Sequence, residues 1–210
     1  MKYIRTVLCI LLCACLLTSC KVHTDQYITS SLDVICRGEY TEYSKLTGKT
    51  VAELTAEQKR FMEIQTDRLL SALGGEGCSS EMRTRYISFV KMIYAGTRYE
   101  VTLSDSSEDE ATVKVWPAEI LTAHTDEMKE YAEKFRAANE EFAYSSLSSE
   151  EYVDQYLDGM LGLLGAYLSD PEYGKPQTIT LHVEMNEEGL KQIEPGTMSN
   201  ILEAMLPVPG

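Results

Sequence analysis

Ile28, Leu32, Ile35 and Cys36 recur three and four residues apart. That period puts side chains on one helical face, so residues 26–37 are predicted as a helix stopped by Gly38. Residues 45–54 read as a connector containing Gly48. Thr55 followed by Gln58 has capping-box spacing, in which each side chain satisfies the other's free backbone donor, and a helix through Phe61, Ile64, Leu69 and Leu73 should end at Gly74-Gly75. A third helix carries Met82, Tyr86, Phe89 and Ile93 and stops at Gly96.

The period then shortens to two. Tyr99, Val101 and Leu103 alternate with Arg98, Glu100 and Thr102; beyond the polar loop 105–109, Val113 and Val115 alternate with Thr112, Lys114 and Trp116. This predicts a β-hairpin ended by Pro117. Met128, Tyr131, Phe135, Ala138 and Phe142 restore a helical stripe over 125–143, and Ser148 with Glu151 forms a second capping box opening an apolar helix to Leu168. Ile179, Leu181 and Val183 give a third strand, and 198–206 a short last helix. The expected fold class is α+β, a helix-rich single domain packed on one face of a small, mainly antiparallel three-stranded sheet. Half-polar strands support one covered face, since strands buried on both sides would be continuously apolar.

The first twenty residues follow another logic. Lys2 and Arg5 precede an uncharged stretch from Thr6 to Leu17, then Leu17-Thr18-Ser19-Cys20. The layout is that of an export signal, and the last four residues match a lipoprotein box, in which the Cys20 thiol receives a diacylglyceryl group and residues 1–19 are removed. An ordinary secretory signal is the alternative. Twelve helical residues reach roughly 18 Å, too short for a hydrocarbon core of about 30 Å. Residues 20–25 are then the lipidated cysteine and a short tether, and 26–210 the domain.

Loss of residues 1–19 removes two cations, leaving 17 Lys and Arg against 33 Asp and Glu, a net charge of −16. So acidic a chain is a poor fit to nucleic acid or an anionic lipid surface, and the membrane is expected to be reached through the N-terminal anchor. Cys36 and Cys78 remain after the signal cysteines and Cys20 are set aside. Export allows them to pair as a disulfide closing a 43-residue loop, while two separate small apolar side chains are the alternative. Two cysteines alone do not make a closed metal site.

Leu32-Asp33 with Gly38, Tyr40-Thr41-Glu42-Tyr43, Leu46-Thr47-Gly48, Tyr99-Glu100-Val101, Ser148 to Tyr152 and Tyr173-Gly174-Lys175-Pro176 resemble small uncharacterised lipoproteins of clostridial Firmicutes, a domain of unknown function. The resemblance implies a Gram-positive surface location and supplies no mechanism or catalytic residues to carry over. Cys36 and Cys78 depart from it.

Motifs with chemistry are few. Gly48-Lys49-Thr50 lacks the earlier glycine and the strand of a phosphate loop. Ser88-Phe89-Val90-Lys91 fits S-x-x-K without the companion elements of penicillin-recognising enzymes. His23, His124 and His182 share no zinc-binding spacing, and the acidic run 105–110 lacks a calcium-loop pattern, so neither metal nor cofactor is expected. Gly159, Gly162 and Gly165 read as a small-residue groove admitting a neighbouring element. The polar side of the strands, with Arg98, Glu100, Lys114, Trp116, Thr180 and His182, is the candidate binding face, with an ordinary solvated sheet face as the alternative. The expected function is a lipid-anchored extracytoplasmic surface protein, non-catalytic, binding an envelope protein or small ligand. A cell-envelope hydrolase acting on wall or glycan material and a structural spacer are the alternatives.

Cys20→Ala is expected to abolish lipid attachment and release the protein, because the acyl chains are its strong membrane contact. Metabolic labelling with a tagged fatty acid reads this directly; label retained by the variant would refute it.

Overall fold

The computed structural model describes residues 23–104, 107–139, 148–185 and 191–208. Along the chain run α1 (Thr24–Arg37), α2 (Thr41–Thr47), α3 (Val51–Ala72), α4 (Ser80–Ala95), β1 (Arg98–Ser104), β2 (Ser107–Trp116), α5 (Thr125–Ala138), α6 (Ser149–Tyr167), β3 (Gln177–Met185), β4 (Lys191–Ile193) and α7 (Pro195–Met205). Cys20, with the rest of the expected export signal, and Phe142 lie outside the described residues.

The α+β class is observed, with one correction to the sheet. It has four strands in the order β1-β2-β3-β4, every neighbouring pair antiparallel, instead of three. The added strand is three residues long, too short to display an alternation. The helices differ in two places. The stretch 45–54, expected as a connector, holds the end of α2 and the first turn of α3; α2 buries no residue, and a helix without a buried stripe has no hydrophobic period. α3 opens at Thr50, whose hydroxyl accepts from the Glu53 amide while the Glu53 carboxylate accepts from the Thr50 amide. Thr50 and Thr55 both carry a capping-box spacing, and the earlier one starts the helix; Thr55 Oγ1 instead donates to the Val51 carbonyl within it. The Ser148–Glu151 box opens α6 as expected.

Register explains which face is covered. Val101 pairs with Val113 and Val113 with Ile179; Leu103 pairs with Ala111 and Ala111 with Leu181. On the central strand Ala111, Val113 and Val115 are fully buried, as are Leu181 and Val183 on β3. Their neighbours in sequence point the other way, because strand side chains alternate. Arg98, Glu100, Thr102, Thr178, Thr180 and His182 are exposed, and Trp116 and Lys114 are half-buried.

α1 and α7 lie on the covered face, α1 against β1 and β2, α7 against β2 and β3. α1 also meets α2, α3 and α4 on its other sides, and its Ile28 and Leu32 have no exposed surface. Its C-terminus is closed by Gly38 in the left-handed region (φ 71°), whose amide reaches back to the Asp33 and Val34 carbonyls. Gln58 of α3 braces the same turn, donating to the Ile35 carbonyl at 3.1 Å and accepting from the Tyr40 hydroxyl at 2.5 Å. α4 links the layers, with Tyr86 donating to the Leu157 carbonyl of α6 and Tyr94 to the Leu202 carbonyl of α7. Among the described residues no helix is long and apolar enough to cross a membrane.

The expected glycine groove is confined to one residue. A Cβ on Gly159 would stand 2.0 Å from the Tyr131 hydroxyl, whereas Gly162 and Gly165 face open space. Tyr131 of α5 leans over α6 there and donates to the Tyr156 carbonyl. Gly162→Ala should therefore stabilise by about 0.5–1 kcal/mol through helix propensity alone. Gly159→Ala should destabilise by about 1 kcal/mol or more, because the displaced Tyr131 ring outweighs the same gain. Urea denaturation compares them; a higher midpoint for both would contradict this packing.

Orientation in the sheet is tested in the same way. Leu181→Ala, at a side chain 1% exposed, should cost about 2–4 kcal/mol. Trp116→Ala should cost clearly less, and equal losses in thermal melts would mean that the tryptophan belongs to the core.

Candidate functional site

The outer face of the sheet is a ruled surface, because antiparallel register sets residues of one parity side by side. Arg98 lies opposite Trp116; Glu100 opposite Lys114, and Lys114 opposite Thr178; Thr102 opposite Thr112, and Thr112 opposite Thr180; Glu110 opposite His182. Directly opposed residues have Cβ atoms about 5 Å apart, so each row is a contiguous strip. The register thus brings the candidate residues Arg98, Glu100, Lys114, Trp116, Thr180 and His182 onto one surface.

The rows differ in chemistry. At one end the Arg98 guanidinium lies 4.0 Å from the Tyr173 ring centre and the Lys114 ammonium 4.6 Å from that of Trp116, both within cation–π range. Lys114 also stands 3.9 Å from a Glu100 carboxylate oxygen. Tyr173 is fixed by donating to the Gly96 carbonyl at 2.7 Å and by a bridge from its backbone to Ala118. A row of threonines crosses the middle. At the other end His182 Nδ1 is 3.7 Å from a Glu110 carboxylate oxygen, and Glu184 is exposed beyond it.

α1 relates this face to the chain's N-terminal side. At its start, Thr24 Oγ1 accepts from Lys191 Nζ at 2.6 Å, beside Met185 where β3 ends. At its far end, Asp33 accepts from the Tyr99 hydroxyl, and Arg37 pairs with Asp33 at 2.8 Å and covers the Tyr99 ring. Burial and the Asp33 carboxylate push the Tyr99 hydroxyl well above its ordinary pKa. Tyr99 opposes Val115, and Val115 opposes Gln177. The helix of 14 residues thus runs roughly 21 Å from the acidic end of the sheet to the end carrying Arg98 and Trp116.

A separate cleft of about 560 Å³ opens beside α1 and α2, lined among others by Asp25, Asp33, Glu39, Tyr40, Glu42 and Val51. It shares no residue with the outer face and was not visible in the sequence, since its walls come from one side of α1 and the starts of α2 and α3. Asp33, its link to the sheet, is committed to Arg37 and Tyr99.

Cys36 and Cys78, considered above as a disulfide, are both free thiols. Cys36 is buried with its sulfur 3.7 Å from that of Met205, and burial pushes its thiol up to about 12. Cys78 is half-buried in the loop before α4, where burial and the nearby Asp154 carboxylate raise its thiol. The two are held at opposite ends of α4, Cys36 beside Thr97 past its C-terminus and Cys78 just before its N-terminus. A 16-residue helix of roughly 24 Å far exceeds the span of a bridge.

The remaining motifs scatter. His124 stacks on Tyr167 with ring centres 3.4 Å apart, and His23 is exposed just before α1. Ser88 and Lys91 are exposed on α4, where Ser88 donates to the Thr84 carbonyl. Lys49 pairs with Glu57 at 2.7 Å and Gly48 caps α2. Among the described residues no three His, Cys, Asp or Glu side chains gather as a metal would require. The site residue without a signal in the sequence is Tyr173, which stands there only in the Tyr173-Gly174-Lys175-Pro176 run of the family resemblance; its contact with Arg98 joins positions 75 residues apart, for which there is no local pattern.

No family model matches the chain, and no curated protein matches it significantly. Among solved structures the fold is similar to the crystal structure of ycdA, a candidate lipoprotein from Bacillus subtilis, with a TM-score of 0.59 at 19% identity over 91% of this chain. The match covers 58% of the ycdA chain, so this chain spans little more than half the length of that neighbour, and what the two share is the fold.

Proposed function

We propose that the protein is a lipid-anchored extracytoplasmic surface protein that binds a partner through the outer face of its sheet. The observation that carries the binding role is a covered and an uncovered face on one sheet, the uncovered one holding the chain's single tryptophan among ordered charges. A solvated sheet face needs no aromatic residues. Trp116 and Tyr173 expose ring surface that water alone does not reward, and each ring is already positioned by a cation. The anchor rests on the Leu17-to-Cys20 pattern, and a fold shared with a candidate lipoprotein fits it.

A photo-crosslinking amino acid tests the face in cells expressing the full chain. Placed at Glu100 or Thr180 it should give discrete adducts, while at Ser71, exposed on α3, it should give none. Adducts absent from the sheet positions, or equally abundant from Ser71, would reject the face as the binding surface.

A further inference from the structure

The charges on the outer face are sorted. Both cations of the ruled strips, Arg98 and Lys114, stand at the aromatic end, while Glu110 and Glu184 stand at the other, next to His182. In a chain whose domain carries about two acids for every base, this corner brings two cations together. It is also the end farther from Thr24, where the tether enters, by roughly the length of α1.

The state of the Arg98 side chain is informative. Its guanidinium carbon lies over the Tyr173 ring, 4.0 Å from the ring centre, and among the described residues it pairs with no carboxylate. A stacked guanidinium keeps its plane fixed and its N–H edge open, the geometry that receives a planar carboxylate through two parallel hydrogen bonds. Across the strand pair lies Trp116, a flat amphipathic surface of the kind that takes the C–H face of a sugar ring. Lys114 adds an ammonium, which Glu100 at 3.9 Å offsets. The threonine strip, Thr102, Thr112 and Thr180, continues from this corner with hydroxyls that can exchange hydrogen bonds with further sugar hydroxyls.

Resting on the reading of this face as the binding surface, we propose that the Arg98–Trp116–Tyr173 corner binds a uronic-acid-bearing glycan, the carboxylate on Arg98 and the sugar ring against Trp116. Glu100, with Glu119 and Glu172 beside Tyr173, opposes the dense charge of a polyphosphate chain more than the one carboxylate of a uronic acid. The carboxylates at the tether end give the ligand one direction of approach, from the side away from the lipid anchor.

Trp116 is the chain's single tryptophan, so its fluorescence reports this corner alone. The full chain in detergent micelles is titrated with an oligogalacturonate, its methyl ester and an oligo(glycerol phosphate). The acid form should change Trp116 emission saturably. Binding should weaken at least tenfold with the methyl ester and with Arg98→Ala, partly recover in Arg98→Lys, weaken with salt, and be unaffected by His182→Ala. Circular dichroism checks that each variant is folded; should Arg98→Ala not fold, the methyl ester and Arg98→Lys carry the test. Equal binding of the methyl ester, or preference for the phosphate chain, would overturn the assignment. Silence toward all three glycans while the Glu100 and Thr180 crosslinks persist would remove the glycan and leave the face; loss of those crosslinks as well would remove both.

Discussion

Every layer of this molecule depends on the burial of α1. A 14-residue helix with fully enclosed Ile28 and Leu32 must find apolar surface around most of its girth, and it does so between the sheet on one side and α3 and α4 on the other. Burying one leucine or isoleucine side chain stabilises by about 1.5–3 kcal/mol, so this helix alone represents a large part of a net stability of about 5–15 kcal/mol. Its polar residues are arranged to permit this. Ser30 is buried but donates to the Tyr27 carbonyl, and the exit of the helix is closed by Gly38 and braced by Gln58. An unpaired polar group in that position would offset most of the gain.

The open face of the sheet follows from the same burial. Once α1 and α7 cover one side, period-2 alternation delivers every second residue of β1, β2 and β3 to the other, and antiparallel register aligns them in rows. No loop has to be shaped for the aromatic and cationic groups to meet. Tyr173 is the exception, brought in by the segment before β3 and anchored through Gly96 and Ala118.

What could be read from the sequence was what has a period. The α1, α4 and α6 stripes, the β1–β2 hairpin and β3 were readable because each buries one side, and burial imposes the spacing of the element. α2 and β4 were not, the first having no buried side and the second being too short to alternate. The two threonines at 50 and 55 show the limit of a local motif, since both satisfy the capping spacing and only the position of the helix start separates them. Six candidate residues of the face could be grouped by parity alone, given a shared sheet. The stacking of Arg98 on Tyr173, the cleft beside α1, and the separation of Cys36 from Cys78 depend on how distant elements meet, and neither composition nor spacing carries that information.

The packing of α1 against α7 also sets an order of events for a chain that leaves its site of synthesis end first. Cys36 meets Met205 across 169 positions, and Thr24 meets Lys191 across 167. Contacts of such separation close late, because the intervening chain must first surrender its freedom. Until the segment near residue 205 has emerged, the strip of α1 around Cys36 lacks this part of its cover, and the first of the described helices is completed among the last. In a chain made in this order, the two ends of the domain are joined only once α7 is complete.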